Sequence, residues 1–161
     1  MSIRKLRPSD RDPIERILRG TGVFSEQEVS VALELIDIAN GKPEQTDYEI
    51  YIAEDPPARI AGYICYGPVP LTQGVYDLYW IAVSQEVQGQ GIGKALLTFM
   101  EESLAGRRAR KVMIETSSTG GYLGTRAFYE RNGYREIARI RDFYRPGDDK
   151  VIFSRELSAL G

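Results

Sequence analysis

Apolar positions along the chain repeat with two different periods, and the switches between them mark the elements. SIRKLR at residues 2–7 alternates and predicts a short first strand. Ser9-Asp10-Arg11-Asp12 then resembles a capping box, with Pro13 in the first turn and Ile14, Ile17 and Leu18 on one face, so a short helix is expected, ended by Gly20 and Gly22. Ser25-Glu26-Gln27-Glu28 is a cleaner capping box. Val29, Ala32, Leu33 and Ile36 follow it at helical spacing, which predicts a second helix to about Asn40-Gly41.

Alternation then takes over. Tyr48–Glu54, Arg59–Tyr66 and Val75–Val83 read as strands, with Pro56-Pro57 as a turn between the first two and Pro68 and Pro70 closing the second. A helix is predicted from about Gly91 to Ala105, with Ile92, Leu96, Phe99, Met100 and Leu104 forming a broad apolar face. Lys111–Thr116 is a strand, and Thr125–Asn132 a helix stopped at Asn132-Gly133. Tyr134–Tyr144 and Lys150–Leu157 are two further strands around the turn Arg145-Pro146-Gly147-Asp148-Asp149. The order strand, two helices, three strands, helix, strand, helix, two strands, with no repeat or linker, predicts one mixed α/β domain over residues 1–161.

Composition narrows the function. The net charge of −2 supplies no basic field for nucleic acid, and no apolar run approaches the ~18 residues of a membrane span. The N-terminus has no apolar core of a signal peptide, and the single cysteine, Cys65, suits a reducing compartment, so a cytoplasmic protein is expected. Cys65 itself, in an apolar strand, reads as a small buried hydrophobe. Histidine is absent, which excludes Ser-His-Asp and Cys-His catalysis and His-based zinc sites; no metal is expected. A general base must then be a carboxylate, a tyrosine, a lysine or water.

Gln88-Gly89-Gln90-Gly91-Ile92-Gly93-Lys94 holds three alternating glycines directly before a helix. A P-loop fails, because Gly93-Lys94 is followed by Ala95. A dinucleotide fingerprint fails, because position 94 is Lys and no early βαβ unit leads into it. The physics behind both survives: exposed backbone N–H groups at a helix start attract an anion, and glycine lets a phosphate approach them. Gln88 can donate from its side-chain amide, and Lys94 can place its charge near a pyrophosphate.

Strand VYDLYWIAV followed by this loop resembles the acetyl-CoA-binding signature of the GCN5-related N-acetyltransferases (GNAT), (Arg/Gln)-x-x-Gly-x-(Gly/Ala), which Gln88, Gly91 and Gly93 fill. Arg126-Ala127-Phe128-Tyr129-Glu130-Arg131-Asn132-Gly133-Tyr134 is similar to the family's later helix, where a tyrosine lies near the thioester sulfur. The matching order of elements extends the resemblance from near residue 3 to about residue 157. It implies a central, mostly antiparallel twisted sheet of six to seven strands flanked by about four helices. It implies acetyl-CoA as the acetyl donor and direct transfer to an amine. The cofactor contacts it implies are Ile81, Ala82 and Val83, which hold the pantetheine arm through the strand backbone, then Gln88 to Lys94, Thr125 and Tyr129. An asparagine common in the family seven residues before the tyrosine is Tyr122 here, which leaves Thr125 as the substitute donor.

Acetyl transfer to an amine requires a neutral amine, a polarised carbonyl and a protonated leaving thiol. A lysine-like amine is neutral in only about one molecule in 2,500 at pH 7, so a carboxylate that takes its proton helps. A phenol stays protonated there and can donate to the thiolate. Tyr129 suits that role by chemistry and by its matching position. Asp77 is the candidate base, at the place where the histone-modifying branch carries a glutamate, with Glu115 on the neighbouring strand as the second candidate. The resemblance places the acceptor between Gly20–Ser25 and Asp142–Asp149. There Phe24, Phe143 and Tyr144 could form an apolar wall, and Asp148 or Asp149 could attract a cation. The acceptor expected is a small-molecule or peptide amine, cationic by this choice of residues. A non-catalytic acyl-CoA-binding module and a nucleotide-binding protein are the competing readings. The Tyr-rich strands and the late hairpin could also pair in a homodimer.

Overall fold

Period-two segments become strands wherever glycine, proline or a cap bounds them, and seven of them join one sheet. The computed structural model describes residues 1–56 and 58–157. In chain order the elements are β1 (Ser2–Lys5), α1 (Arg11–Gly20), α2 (Glu26–Gly41), β2 (Glu49–Asp55), β3 (Arg59–Pro68), β4 (Val75–Val83), α3 (Ile92–Ala105), β5 (Lys111–Ser117), α4 (Leu123–Arg131), β6 (Arg135–Arg145) and β7 (Asp148–Glu156). The strand order is β1-β2-β3-β4-β5-β7-β6, and β4 runs parallel to β5 in an otherwise antiparallel pattern. The expected turn at Pro56-Pro57 falls on Pro57, which lies outside the described residues. No helix among the described residues is long and apolar enough to cross a membrane.

The chain divides into two compact units. The first holds Met1–Gly67 and Tyr79–Glu102. Its core packs Ile14, Leu18, Val29 and Ile36 of α1 and α2 against Ile50, Ile52, Tyr63 and Cys65 of β2 and β3. Cys65 is buried, and desolvation pushes its thiol pKa up, so it stays a neutral hydrophobe as expected. The α2 capping box forms as its sequence predicts: Ser25 Oγ accepts from Glu28 N at 3.1 Å and Glu28 Oε1 from Ser25 N at 3.0 Å.

The start of α1 differs from the expectation. Ser9 and Asp10 lie in a 3-10 turn over Pro8–Asp10, and the carboxylate that caps is Asp10, which accepts from Arg7 N at 2.7 Å. The reason is long-range. Asp10 is only 2% exposed and receives both guanidinium nitrogens of Arg4, at 2.8 and 2.9 Å, and the same guanidinium also grips Glu54 on β2. Replacing Asp10 with Ala leaves Arg4 with Glu54 alone and removes the acceptor of the Arg7 N–H. We expect it to lower unfolding stability by about 2–3 kcal/mol, read as a drop in the urea midpoint.

The second unit holds Pro68–Leu78 and the chain from Ser103 onward. Register sorts its residues by face. Asp77 pairs with Met113, Glu115 with Ile152 and Ser117 with Lys150. Side chains repeat every two residues, so Asp77, Met113, Glu115, Lys150 and Ile152 share one face. Val112, Ile114, Thr116, Val151 and Phe153 take the other and are buried. Tyr129 and Tyr134 cover that buried face, with the Tyr129 ring 6.0 Å from Phe153 and 6.2 Å from Tyr134. The hairpin is tighter than expected, because Arg145 already pairs with Asp148 and only Pro146-Gly147 turn. α4 begins at Leu123 rather than Thr125, after a 3-10 turn over Gly120–Tyr122.

Candidate active site

In the first unit the glycine loop grows out of the end of β4. Ser84 N donates to Ala61 O at 2.8 Å, and Gly62 lets β3 approach closely, since a Cβ there would sit 2.7 Å from Ala82 O. Ala82 is buried, while Ile81 and Val83 are half-buried. After a 3-10 turn over Gln85–Val87, Gly89 and Gly91 take φ of +79° and +82°. Only glycine adopts that left-handed region without strain. The glycines therefore shape the loop as well as clear it: ideal Cβ atoms at Gly89 and Gly91 would meet nothing within 4 Å. Ala95 N donates to Gly91 O at 3.0 Å, so Gly91 supplies the first carbonyl of α3. The amides of Ile92, Gly93 and Lys94 then lie in the helix's first turn, where backbone donors lack intrahelical acceptors. Gln88, Gln90 and Lys94 are exposed, and Gln88 Nε2 lies 3.5 Å from Val83 O. An open, left-handed glycine turn that ends on free helix amides fits a phosphate-bearing ligand such as acetyl-CoA.

Phe24, a predicted acceptor residue, lies in the same unit. It packs edge-on against Trp80 at 5.4 Å on the margin of the α1–α2 core.

In the second unit Tyr129 is 6% exposed, in the middle of α4. Desolvation pushes its phenol pKa well above the usual value, so it stays protonated throughout the neutral range. Thr125 is half-buried in the first turn of α4. Arg126, which sequence reasoning passed over, ties this segment down: its Nη1 donates to Ser117 O and Thr119 O, both at 2.8 Å. Its half-burial and its two carbonyl partners arise only in the fold, so the sequence carried no signal for it.

Asp77 and Glu115 come together on the face opposite Tyr129. Asp77 is half-buried, and its pKa is raised, first by desolvation and then by Glu115, with Lys150 opposing. Among the described residues no hydrogen bond or ion pair holds Asp77. Glu115, by contrast, pairs with Lys150 Nζ at 3.0 Å. Lys150 was also passed over, since only the hairpin register brings it beside Glu115.

Phe143 and Tyr144 are exposed and stack edge-on at 5.1 Å. Asp148 is 5% exposed, and its carboxylate accepts from Ser117 Oγ, so it holds the hairpin to the end of β5 rather than lying open. Asp149 accepts from Asp142 N at 2.9 Å and Arg139 Nη1 at 3.3 Å.

A family model described as an acetyltransferase (GNAT) domain matches residues 46–136. A GNAT-family protein from Desulfovibrio desulfuricans is 39% identical, with a TM-score of 0.89 over 97% of this chain and 98% of that one. A ribosomal-protein-alanine N-acetyltransferase from Escherichia coli is 21% identical, with a TM-score of 0.74 over 97% of this chain and 93% of that one. An aminoglycoside 6'-N-acetyltransferase solved with coenzyme A is 17% identical, with a TM-score of 0.74 over 98% of this chain and 97% of that one. The last two share the fold and differ in acceptor. No curated protein sequence matches the chain.

Proposed function

The chain belongs to the GNAT acetyltransferase family, and on that premise we propose that residues 1–161 act as one N-acetyltransferase domain that moves the acetyl group of acetyl-CoA directly onto a primary amine. The observation that carries this reading is the division of labour across the strands of the second unit. A protonated, buried phenol lies on one face, and an unpaired, half-buried carboxylate on the other. A module that only holds acyl-CoA has no use for such a pair.

Asp77 takes the proton that the attacking ammonium must lose. The amine nitrogen then bonds the thioester carbonyl carbon, the C–S bond breaks, the departing sulfur receives its proton from Tyr129, and the second proton shed by the acylated nitrogen passes through solvent to restore the phenol. The left-handed turn at Gly89 and Gly91 supports the cofactor end of the reading, with the pyrophosphate at the start of α3. The ladder between β4 and β5 covers Val75–Asp77 and Lys111–Met113, while β4 runs on to Val83. That continuation supports Ile81 to Val83 as the backbone that holds the pantetheine arm. A cationic acceptor suits the half-buried carboxylate of Asp77.

The test is thiol release from acetyl-CoA across polyamines, amino acids, aminoglycosides and peptide N-termini, with products weighed by mass spectrometry. Release with at least one amine, and a product heavier by one acetyl group, is expected. Tight coenzyme A binding with no product from any amine would favour the non-catalytic module instead.

A further inference from the structure

On the face of β5 and β7 that carries Asp77 and Glu115, the ammonium beside these two carboxylates is that of Lys150. Lys150 reaches across the hairpin with its side chain only 14% exposed. Its Nζ is held from two directions: the Glu115 carboxylate at 3.0 Å, and the Phe143 ring, whose centroid is 3.8 Å away. A carboxylate and an aromatic face together fix an ammonium better than either alone. At the far end of the face Lys111 is taken up by Glu156 at 3.2 Å. Among the described residues, the charged groups acting on Asp77 are therefore Glu115 from β5 and Lys150 from β7. Lys150 contacts one of the two carboxylates and reaches the other only through its field.

That asymmetry separates the two candidate bases. Glu115 is already engaged as the ion-pair partner of the Lys150 ammonium. Asp77 has no such partner to lose. We infer that Lys150 is a positioning residue: by engaging Glu115 it removes that carboxylate from proton transfer and leaves Asp77 to receive the proton of the acceptor amine. This rests on the reading of the chain as an N-acetyltransferase.

Two measurements test it. The first needs no turnover: carboxyl-carbon NMR titration of Asp77 in the full chain. Lys150→Met should move the Asp77 midpoint upward and Lys150→Arg should restore it. Glu115→Gln should move it downward, since a neighbouring negative charge is gone. The second is the acid limb of kcat/KM with whichever amine is turned over. The limb should rise in pH for Lys150→Met, fall for Glu115→Gln and vanish for Asp77→Asn, which should also lose at least about tenfold in kcat. A merely structural lysine would move neither the titration nor the limb in opposite senses. An Asp77 midpoint unmoved in folded Lys150→Met overturns the inference, as does a limb erased by Glu115→Gln. If no amine is acetylated, the functional reading fails on its own, while the titration still decides whether Lys150 acts on Asp77.

Discussion

Replacing Tyr129 with Phe is expected to lower kcat for acetyl transfer by about 100-fold or more, with KM for acetyl-CoA changed only a few-fold. The substitution isolates the hydroxyl. The ring is clamped by Phe128 at 5.7 Å, Tyr134 and Phe153, and a phenyl ring fills the same space, so the fold and the cofactor contacts survive. What is lost is the donor to the departing sulfur, an interaction that matters only as the C–S bond breaks. Burial raises the phenol's proton affinity, which taken alone would weaken it as an acid. The same dry surroundings raise the proton affinity of a thiolate beside it, so the two stay matched. The sign of the shift also has a kinetic consequence. Tyr129 remains protonated well above neutral pH, so wild-type kcat should show no falling limb from this group in the neutral range. Single-turnover thiol release across pH checks both points. A Tyr129→Phe variant with wild-type kcat would reduce Tyr129 to a packing residue.

On the proposed reading the amine attacks the thioester directly, and no acyl-enzyme is needed. Cys65 is buried with its pKa raised, which makes it a poor nucleophile.

Local chemistry explains what the sequence revealed. β4 has the bounds predicted for it, Val75 to Val83, because a segment rich in aromatic and branched residues runs between Gly74 and a following 3-10 turn. α2 starts where predicted because Ser25 and Glu28 satisfy each other within three residues. The glycine loop and Tyr129 were legible because a backbone conformation and a helix position leave marks in residue type. Where a distant partner decides, the sequence is silent. Asp10 rather than Ser9 caps the first helical turn because Arg4 and Glu54 hold it there. Asp148 looked like a turn residue, but a buried bond to Ser117 pulls it into β7. Lys150 had no local signature. Its place beside Glu115 follows from the β5–β7 register, which pairs it with Ser117, and a slip of one residue there would have placed it on the opposite face.

The largest loss of binding should come from Gly91. Its φ of +82° means that Gly91→Ala strains the unliganded loop by about 1–2 kcal/mol, although the new methyl group meets no protein atom. In the free protein the cost is confined to that backbone strain, and a further cost appears when a phosphate must approach the amides of Ile92, Gly93 and Lys94. Gly91→Glu adds a carboxylate at the same place, where the helix start favours negative charge on the ligand and not on the protein. Calorimetry with coenzyme A should show affinity at least tenfold weaker for Gly91→Ala and at least about 100-fold weaker for Gly91→Glu, a difference of at least ~2.7 kcal/mol from wild type. Part of the second loss should be relieved by salt, since like-charge repulsion at an exposed loop is screened. The Tyr129→Phe variant should bind as wild type in the same experiment. Wild-type affinity in folded Gly91→Glu would mean that the pyrophosphate does not sit at the start of α3, and the three alternating glycines would then serve the turn alone.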